Sequence, residues 1–341
     1  MKIIVDAMGG DNAPESNVLG AFRAAKEFGI DVCLVGRGEE ILETTLKNGY
    51  GELPKEISIV NAGEVIDMHD DPSTSIREKK DSSIVVGLKM LADGDGDAFV
   101  SAGSTGALLA GSTLIVKRIK GIRRAAFPPV LPAKNGKFLL IDCGANVECT
   151  PEYLLQFAYM GNYYAKTVMK IAKPRIGLLN IGVEETKGTQ LQKDTYELLQ
   201  KAAAAGQLDF VGNVEGRDVM FGICDVVVSD GYSGNIMLKS IEGVGLFFVD
   251  TLKGIFKKNL VSKIAALLVK SGIGEIKKIL DYNETGGSPL LGIAKPVVKA
   301  HGSANEYTIR SAIKQAVEYA ESNIIKDLQN NVEFWSGDGR E

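Results

Sequence analysis

The sequence has few of the residues on which metal and disulfide chemistry depend. It contains two histidines, His69 and His301, and four cysteines. Without a cluster of imidazoles, a histidine-based metal site is not expected. Cys143 and Cys149 are spaced C-x5-C with no histidine near them, so no zinc motif is present. We therefore predict no metal, no disulfide framework and reduced cysteines.

Motifs for several common enzyme classes are also missing. The chain has no G-x-G-x-x-G followed by an acidic residue and no G-x-x-x-x-G-K-[ST]. A Rossmann dinucleotide site and a P-loop are therefore not expected. The stretches GSTGA and GYSGN miss the G-x-S-x-G elbow by one position, which weakens the case for a serine nucleophile. We predict that the protein uses no cofactor.

Long hydrophobic runs and an excess of positive charge are absent as well. No segment has the roughly 18 uninterrupted apolar residues of a membrane-spanning helix, and Met1 and Lys2 lead straight into an apolar strand rather than a secretory signal. A net charge of −4 argues against a nucleic-acid partner. With 45% hydrophobic and 24% charged residues, the composition predicts an ordinary globular, cytoplasmic protein.

The fold class follows from an alternation of two patterns. Apolar runs rich in β-branched residues alternate with longer stretches of helical period, such as 17–28, 83–92 and 153–171. This alternation predicts a three-layer α/β/α fold with a mostly parallel sheet. The predicted strands are KIIVDA, DVCLVG, ISIVNA, DAFVSA, FLLIDC, RIGLLNI, DFVGNV, DVVVSD and PLLGI. No linker divides the chain, so we assign 1–332 to one catalytic domain and 333–341 to a C-terminal tail.

Six polar, glycine-rich stretches follow predicted strands. They are DAMGGDNAP, SAGSTGA, DCGANVE, NIGVEETKGT, SDGYSGN and KAHGSAN. In open α/β sheets such loops lie at the carboxyl edge, where ligands bind. Glycines let the backbone approach a ligand, and helix N-termini favour anions. A single glycine after a strand usually marks a tight turn, but six such loops predict a polar pocket for an anionic substrate.

Taken together, these loops resemble the bacterial phosphate acyltransferases, the PlsX family. The stretches MKIIVDAMGGDNAPE, SAGSTGALLA, DCGANVECTPEYLLQFA, LLNIGVEETKG, SDGYSGNIMLKSIEG and VVKAHGSAN occur in the family's order, from residue 1 to about residue 325. The resemblance implies fatty acyl transfer from acyl-(acyl carrier protein) to inorganic phosphate, giving acyl phosphate for phospholipid synthesis. It also implies a homodimer, peripheral membrane attachment, a downstream glycerol-3-phosphate acyltransferase, and a fold akin to phosphotransacetylases and isocitrate or isopropylmalate dehydrogenases.

Such a reaction requires no enzymic nucleophile. An acyl thioester is already activated and phosphate attacks it directly, so we expect no covalent enzyme intermediate. The site must hold phosphate beside the carbonyl and stabilise the developing oxyanion. The predicted catalytic residues are Lys187 for the phosphate or oxyanion, Asn235 for the thioester carbonyl, and His301 for phosphate or the leaving thiolate.

Each catalytic candidate has a structural alternative. Lys187 could be a surface lysine paired with a neighbouring glutamate, whereas Asn235 and His301 could each cap a helix. Arg77 lies within a charged run, and a place on a solvated face is the interpretation we favour for it over phosphate binding. The predicted phosphate- or substrate-binding residues are Gly9, Gly10, Arg77, Ser104, Thr105, Gly106, Asn146, Asn180, Asp230, Ser233, Gly234 and Asn305.

One stretch departs from the acidic character of the chain. Residues 252–280 contain seven lysines and one glutamate, a net charge of +6. Helical projection separates the lysines from apolar side chains and predicts two short amphipathic helices, in a projecting segment at about 241–280. We favour contact with an anionic membrane over packing on a dimer partner, and docking of acyl carrier protein stays open. The candidates for membrane or acyl-chain contact are Phe256, Lys257, Leu260, Lys263, Ile264, Leu267, Leu268 and Lys270.

Three other functions are weighed against acyl transfer from a carrier protein. A phosphotransacetylase-like enzyme would use acyl-CoA, but the long basic segment favours a protein-bound, long-chain donor. A dehydrogenase of isocitrate type is disfavoured by the missing nucleotide motif. A membrane-associated scaffold of lipid synthesis would not need six polar loops.

Overall fold

A computed structural model describes residues 1–269 and 286–332 of the chain, which form two mostly parallel sheets. The first sheet has six strands. Their order is β10 (Gly287–Pro289), β11 (Val297–Ala300), β4 (Ala98–Ser101), β1 (Lys2–Asp6), β2 (Asp31–Gly36) and β3 (Ile57–Asn61). Only the edge strand β10 pairs antiparallel in this sheet, within the described ranges.

The second sheet has five strands. Their order is β5 (Val130–Ala133), β6 (Gly136–Ile141), β9 (Val226–Val228), β7 (Arg175–Asn180) and β8 (Asp209–Glu215). Here too the strand that pairs antiparallel, β5, is at an edge. The central strands β6, β9 and β7 are parallel neighbours, so their carboxyl ends lie on the same side.

Helices connect the strands and cover the sheets. They are α1 (Glu15–Phe28), α2 (Gly38–Lys47), α3 (Pro72–Glu78), α4 (Ser83–Asp93), α5 (Thr105–Gly111), α6 (Pro151–Thr167), α7 (Gln190–Ala204), α8 (Gly216–Val219), α9 (Gly231–Lys257), α10 (Leu260–Leu268), α11 (Glu306–Glu321) and α12 (Ile324–Asn330). A π-helical turn at Ser112–Val116 follows α5. The predicted α/β fold class is therefore confirmed.

One apolar core contains side chains from both sheets. Ile3 and Val5 of β1 belong to it together with Leu139 and Ile141 of β6, and all four are almost completely buried. Phe157 of α6 is buried in the same core. The two sheets therefore share one apolar core, to which helices also contribute.

The strand predictions differ from the structure near the ends of the sheets. The run PLLGI contributes only Pro289 to a strand, while Leu291 and Ile293 make isolated bridges. The short strands β5 and β11 have four residues each and are not among the predicted apolar runs, although KAHGSAN was expected to lie at a strand end. Pro132 in β5 is tolerated because an edge strand needs fewer backbone donors.

The helices α9 and α10 project from the body of the protein, as predicted. Only Gly231 and Gly234 are buried in α9, and no residue is buried in α10. The helix α9 has 27 residues and begins at Gly231, ten residues before the start of the predicted projecting segment. Lys270, the rest of the segment to residue 280, and the predicted tail at 333–341 lie outside the described residues. In the part of the chain that is described, no helix is long and apolar enough to cross a membrane.

Candidate active site

The six predicted polar loops divide equally between the sheets. Three follow the adjacent strands β11, β4 and β1, and three follow the adjacent strands β6, β9 and β7. Residues from five of these loops line a cavity of ≈ 570 Å³. The loop after β7 contributes no lining residue. The sequence pattern therefore located the edge at which the cavity opens.

Polar and apolar side chains both line this cavity. The polar lining residues include Asp11, Thr105, Asn235, Lys239, Glu242, Lys299, His301 and Ser303. The apolar ones include Met68, Phe127, Pro129, Val130, Leu131 and Leu238. Because four of the apolar residues lie within the segment 127–131, that segment forms one apolar wall. An elongated ligand with a charged or polar head and an apolar tail would match this lining.

In the first sheet, the loops after β1 and β11 are joined by hydrogen bonds. The Asp11 N–H donates to the Gly302 carbonyl oxygen at 2.8 Å, and Asn12 Nδ2 donates to the Ala304 carbonyl oxygen at 3.1 Å. Gly10 has φ +98°, and a Cβ at this position would lie 2.9 Å from the Gly302 oxygen. A side chain is disfavoured there by both backbone conformation and space.

The buried carboxylate of Asp6 fastens the loop after β4 to β1. Ser101 Oγ donates to Asp6 Oδ2 at 2.6 Å, and the Gly103 N–H donates to Ser101 Oγ at 3.0 Å. Burial raises the pKa of Asp6 above its usual value, although its hydrogen bonds oppose the shift. These hydrogen bonds give Asp6 a structural role, which is to orient the loop after β4.

Asp142 has the same role in the second sheet. Its fully buried carboxylate accepts hydrogen bonds from the Phe127 N–H at 2.8 Å and from the Asn146 N–H at 2.7 Å. Asn146 Nδ2 also donates to it, at 3.0 Å. Burial raises the pKa of Asp142 to about 6. The predicted ligand Asn146 is therefore engaged within the protein.

The beginning of α9 packs tightly against this region. A Cβ at Gly234 would lie 2.0 Å from the Asp142 carbonyl oxygen, so the close approach requires glycine. Asp230 is the cap of α9, because its side chain accepts the Ser233 N–H at 2.8 Å. The cap alternative for Asn235 is thus not realised.

Asn235 lies on the cavity wall with its side chain available. Within the described chain, its amide makes no hydrogen bond, and the residue is exposed to the cavity. The same face of α9 places Lys239 and Glu242 on the wall, where their side chains form an ion pair at 2.8 Å. Asn235 therefore offers a donor and an acceptor to a ligand.

His301 also lines the cavity. Its Nδ1 accepts the Ser303 N–H at 3.2 Å, so in the neutral ring the proton is on Nε2. Burial and the positive charge of Lys239 lower the pKa of His301. At neutral pH the ring is consequently a hydrogen-bond donor without charge. The cap of α11 is Asn305, whose side chain accepts the N–H groups of Tyr307 and Thr308.

Lys187 lies at the same sheet edge but not on the cavity lining. It is exposed in the loop after β7, and Asn180 Nδ2 holds this loop through the Lys187 carbonyl oxygen at 3.2 Å. No carboxylate of the described residues forms an ion pair with Lys187. Glu185 instead accepts a hydrogen bond from the Tyr196 hydroxyl at 3.0 Å.

The other predicted site residues fall into three groups. Thr105 lines the cavity. Arg77 is exposed on α3 and is not a lining residue. The remaining residues lie at a strand end, in the strand-exit loops or in the first turns of the following helices, without lining the cavity themselves. They are Gly9, Gly10, Ser104, Gly106, Asn146, Asn180, Asp230, Ser233, Gly234 and Asn305.

Sequence reasoning missed two lysines of the cavity. Lys299 precedes His301 in the quoted stretch KAHGSAN, and Lys239 follows Asn235 by four residues in IMLKSIEG. The i, i+4 spacing was a usable signal for Lys239, because such residues share a helix face. Lys299 is the first residue of KAHGSAN, a stretch predicted to lie at a strand end, so the signal for it was present and was not used.

Comparisons with known proteins agree on one family. A family model described as "Fatty acid synthesis protein" matches residues 1–327. A phosphate acyltransferase of Thermoanaerobacterium thermosaccharolyticum is 45% identical over 338 residues, covering 99% of this chain and 98% of that protein. A phosphate acyltransferase of Clostridioides difficile is 42% identical over 341 residues, covering 100% and 98%.

Solved structures show a similar fold at low sequence identity. A phosphotransacetylase from Streptococcus pyogenes has a TM-score of 0.63 and 20% identity, covering 93% of this chain and 94% of that one. A branched-chain phosphotransacylase from Enterococcus faecalis has a TM-score of 0.56 and 15% identity, covering 94% and 100%. At these identities the likeness concerns the fold.

The raised pKa of Asp142 predicts a pH-dependent stability. Its folded-state pKa of about 6 exceeds the ordinary 3.8, so its contribution to stability is complete below pH 3.8 and is lost as the pH rises through 6. Asp142→Asn cannot ionise. From pH 4 to pH 7, the wild type should therefore lose about 2 kcal/mol of unfolding free energy relative to this variant. Urea denaturation at both pH values measures the difference, and a constant difference would contradict the prediction.

Proposed function

The chain belongs to the fatty acid synthesis protein family, whose curated relatives are named phosphate acyltransferase, and we propose that it transfers fatty acyl groups from acyl-(acyl carrier protein) to inorganic phosphate. It is an acyltransferase with phosphate as the acceptor. The observation that carries the proposal is the cavity between the two sheets, which combines hydrogen-bond donors and cations with an apolar wall.

In the proposed reaction, a phosphate oxygen attacks the carbonyl carbon of the thioester. The C–S bond then breaks, and the carrier leaves as a thiolate that takes up a proton. Thiols have a pKa of about 8.5, so the thiolate is a fair leaving group. The product is acyl phosphate, which would supply phosphatidic acid synthesis through a downstream glycerol-3-phosphate acyltransferase.

Two neutral donors of the cavity suit the developing oxyanion. The Asn235 amide is not engaged elsewhere in the described structure, and the His301 ring carries its proton on Nε2 in its neutral form. We assign Asn235 to the thioester carbonyl and His301 to the oxyanion or phosphate. One well-placed donor of this kind contributes about 3–4 kcal/mol to transition-state stabilisation.

Cys143 is the strongest candidate for a covalent nucleophile, because it lines the cavity. Burial and the neighbouring Asp142 raise the pKa of its thiol, so the reactive thiolate is disfavoured. Its Sγ lies 3.7 Å from the Leu140 carbonyl oxygen as a hydrogen-bond donor. These features support direct attack by phosphate without an acyl-enzyme.

Lys187 remains a proposed ligand of phosphate or the oxyanion. Its ammonium is exposed and has no ion-pair partner among the described residues. The loop that carries it follows β7, the neighbour of β9 in the sheet. An unpaired lysine at this edge supports a role with an anionic substrate, although the cavity lining does not include it.

The prediction is that thiol release from palmitoyl-(acyl carrier protein) will require phosphate. Asn235→Ala should lower the rate about 100-fold because a transition-state donor is lost, and Lys187→Ala should lose most of the rate. The rate of thiol release is measured with a chromogenic disulfide for the wild type and both variants. Circular dichroism checks that the three proteins are folded.

Cys143→Ala is the matched control, because it removes a lining side chain that direct attack does not use. It should retain most of the wild-type rate. If it is inactive while Asn235→Ala is active, a covalent mechanism replaces the proposed one. If wild type acts on palmitoyl-CoA but not on the carrier protein, the phosphotransacetylase-like alternative is correct.

The projecting helices support a second, peripheral role at a membrane. On α9, Phe247 is 73% exposed, and on α10 Leu267 and Leu268 are 71% and 81% exposed. Lys257 and Lys263 on the same hairpin are also exposed. Apolar burial with nearby lysines is the physical basis of binding to anionic lipid surfaces. We propose that this cytoplasmic enzyme binds such a surface.

Two other partners compete for the same hairpin. A second subunit of a homodimer would cover the apolar side chains, and the acidic acyl carrier protein would pair with the lysines. We propose a homodimer whose hairpin is left for the membrane. Analytical ultracentrifugation of the wild type without lipid measures its molecular mass, which should be that of two chains.

The prediction for the hairpin is that wild type will float with vesicles containing anionic lipid and not with neutral vesicles. Leu267→Glu should weaken binding about tenfold, because a buried leucine contributes roughly 1.5–3 kcal/mol. Leu46→Glu on α2, where leucine is 63% exposed, is the matched control and should bind like wild type. Equal flotation of all proteins on both lipids would overturn membrane binding.

A further inference from the structure

Lys299 is a cationic residue of the cavity with an unusual set of partners. It lies on β11 next to β4, with Lys299 paired to Ser101 in the register. Its Nζ donates to the Ala102 carbonyl oxygen at 3.3 Å and to the Ala300 carbonyl oxygen. These two bonds hold the ammonium at the carboxyl end of the first sheet and leave its third N–H for a ligand.

No carboxylate in the described ranges lies within ion-pair distance of this ammonium. The charged groups around it are Asp6 and Asp11 from β1 and its loop, and Lys239 from α9. Burial lowers the pKa of Lys299 to about 8, with Lys239 adding to the shift and the two aspartates opposing it. A partly buried cation without a close counter-ion is costly, and a bound anion would remove that cost.

The opposite sheet supplies a second cation to the same cavity. Lys239 on α9 lines the cavity, and its Nζ forms an ion pair with Glu242 at 2.8 Å. The Lys239 side chain is 56% exposed. The neutral donor His301 lies two residues beyond Lys299 and also lines the cavity. An anion beside Lys299 would thus meet cations and donors from both sheets.

We propose that Lys299 binds the inorganic phosphate that attacks the thioester, with Lys239 assisting from the opposite side of the cavity. This inference rests on the proposed function and identifies the residues that hold its acceptor. A dianionic tetrahedral ligand fits because it accepts several hydrogen bonds and supplies the Lys299 ammonium with a close counter-ion. The Asn235 amide on the same wall is then available for the carbonyl of the acyl donor.

A phosphate group could also come from the phosphopantetheine arm of the acyl donor, so the test separates the two sources. Steady-state kinetics of thiol release would be measured for wild type, Lys299→Met and the control Lys295→Met, varying phosphate and palmitoyl-(acyl carrier protein) in turn. Lys295 is a nearby lysine that does not line the cavity. Lys299→Met should raise the KM for phosphate about 10- to 100-fold, leave the KM for the donor near wild type, and differ from Lys295→Met.

Other outcomes overturn the proposal. An unchanged KM for phosphate in a folded Lys299→Met would show that phosphate binds elsewhere. A rise in the donor's KM alone would assign Lys299 to the phosphopantetheine phosphodiester. If wild type releases no thiol with phosphate, the proposed function fails separately.

A second experiment uses only the wild-type chain and so does not depend on the variant folding. Lysines would be acetylated with a limiting reagent in the presence and absence of inorganic phosphate, and the modified peptides quantified by mass spectrometry. Phosphate should slow acetylation of Lys299 several-fold and leave Lys295 unchanged. Equal acetylation of Lys299 with and without phosphate would contradict binding at this residue.

Discussion

Two buried aspartates, one at the carboxyl end of each sheet, hold the loops that form the cavity. Asp6 accepts a hydrogen bond from Ser101 of the neighbouring strand, and Asp142 accepts N–H groups from Phe127 and Asn146. Each carboxylate exchanges its hydration for hydrogen bonds to the loops, which stabilises the loop conformation. The tight contact between Gly234 and the Asp142 carbonyl then fixes where α9 begins.

The helix α9 joins the chemistry of the cavity to the surface of the protein. Its first turns present Asn235 and Lys239 to the cavity, and the same continuous helix carries the exposed Phe247 about two turns further on. If the proposed function is correct, an acyl donor that reaches the exposed part of α9 would meet a helix that continues to the cavity. This continuity supports the proposal that the cavity and the projecting part of α9 serve the same reaction.

Much of the architecture could be predicted from the sequence because strand burial has a local signature. The β-branched run at Val226–Val228 and the polar residues after it identified both the strand and the edge at which the cavity lies. The division into two sheets depends on pairing between distant segments, which local patterns do not encode. Lys299 was not recognised as a cavity residue, although KAHGSAN was placed at a strand end, because a single lysine there has no local feature that separates it from a solvated lysine. The sequence likewise could not distinguish Asp230 from Asn235 as the cap of α9, since both suit that position.

The central claim is that inorganic phosphate becomes part of the product and is not merely an activator of thioester hydrolysis. The most direct test incubates the protein with palmitoyl-(acyl carrier protein) and fully ¹⁸O-labelled phosphate, followed by mass spectrometry of the products. Direct attack predicts palmitoyl phosphate that retains all the phosphate oxygens, including the labelled bridge to the acyl carbon. Free palmitate carrying unlabelled oxygen from water, with the phosphate left unchanged, would contradict the account.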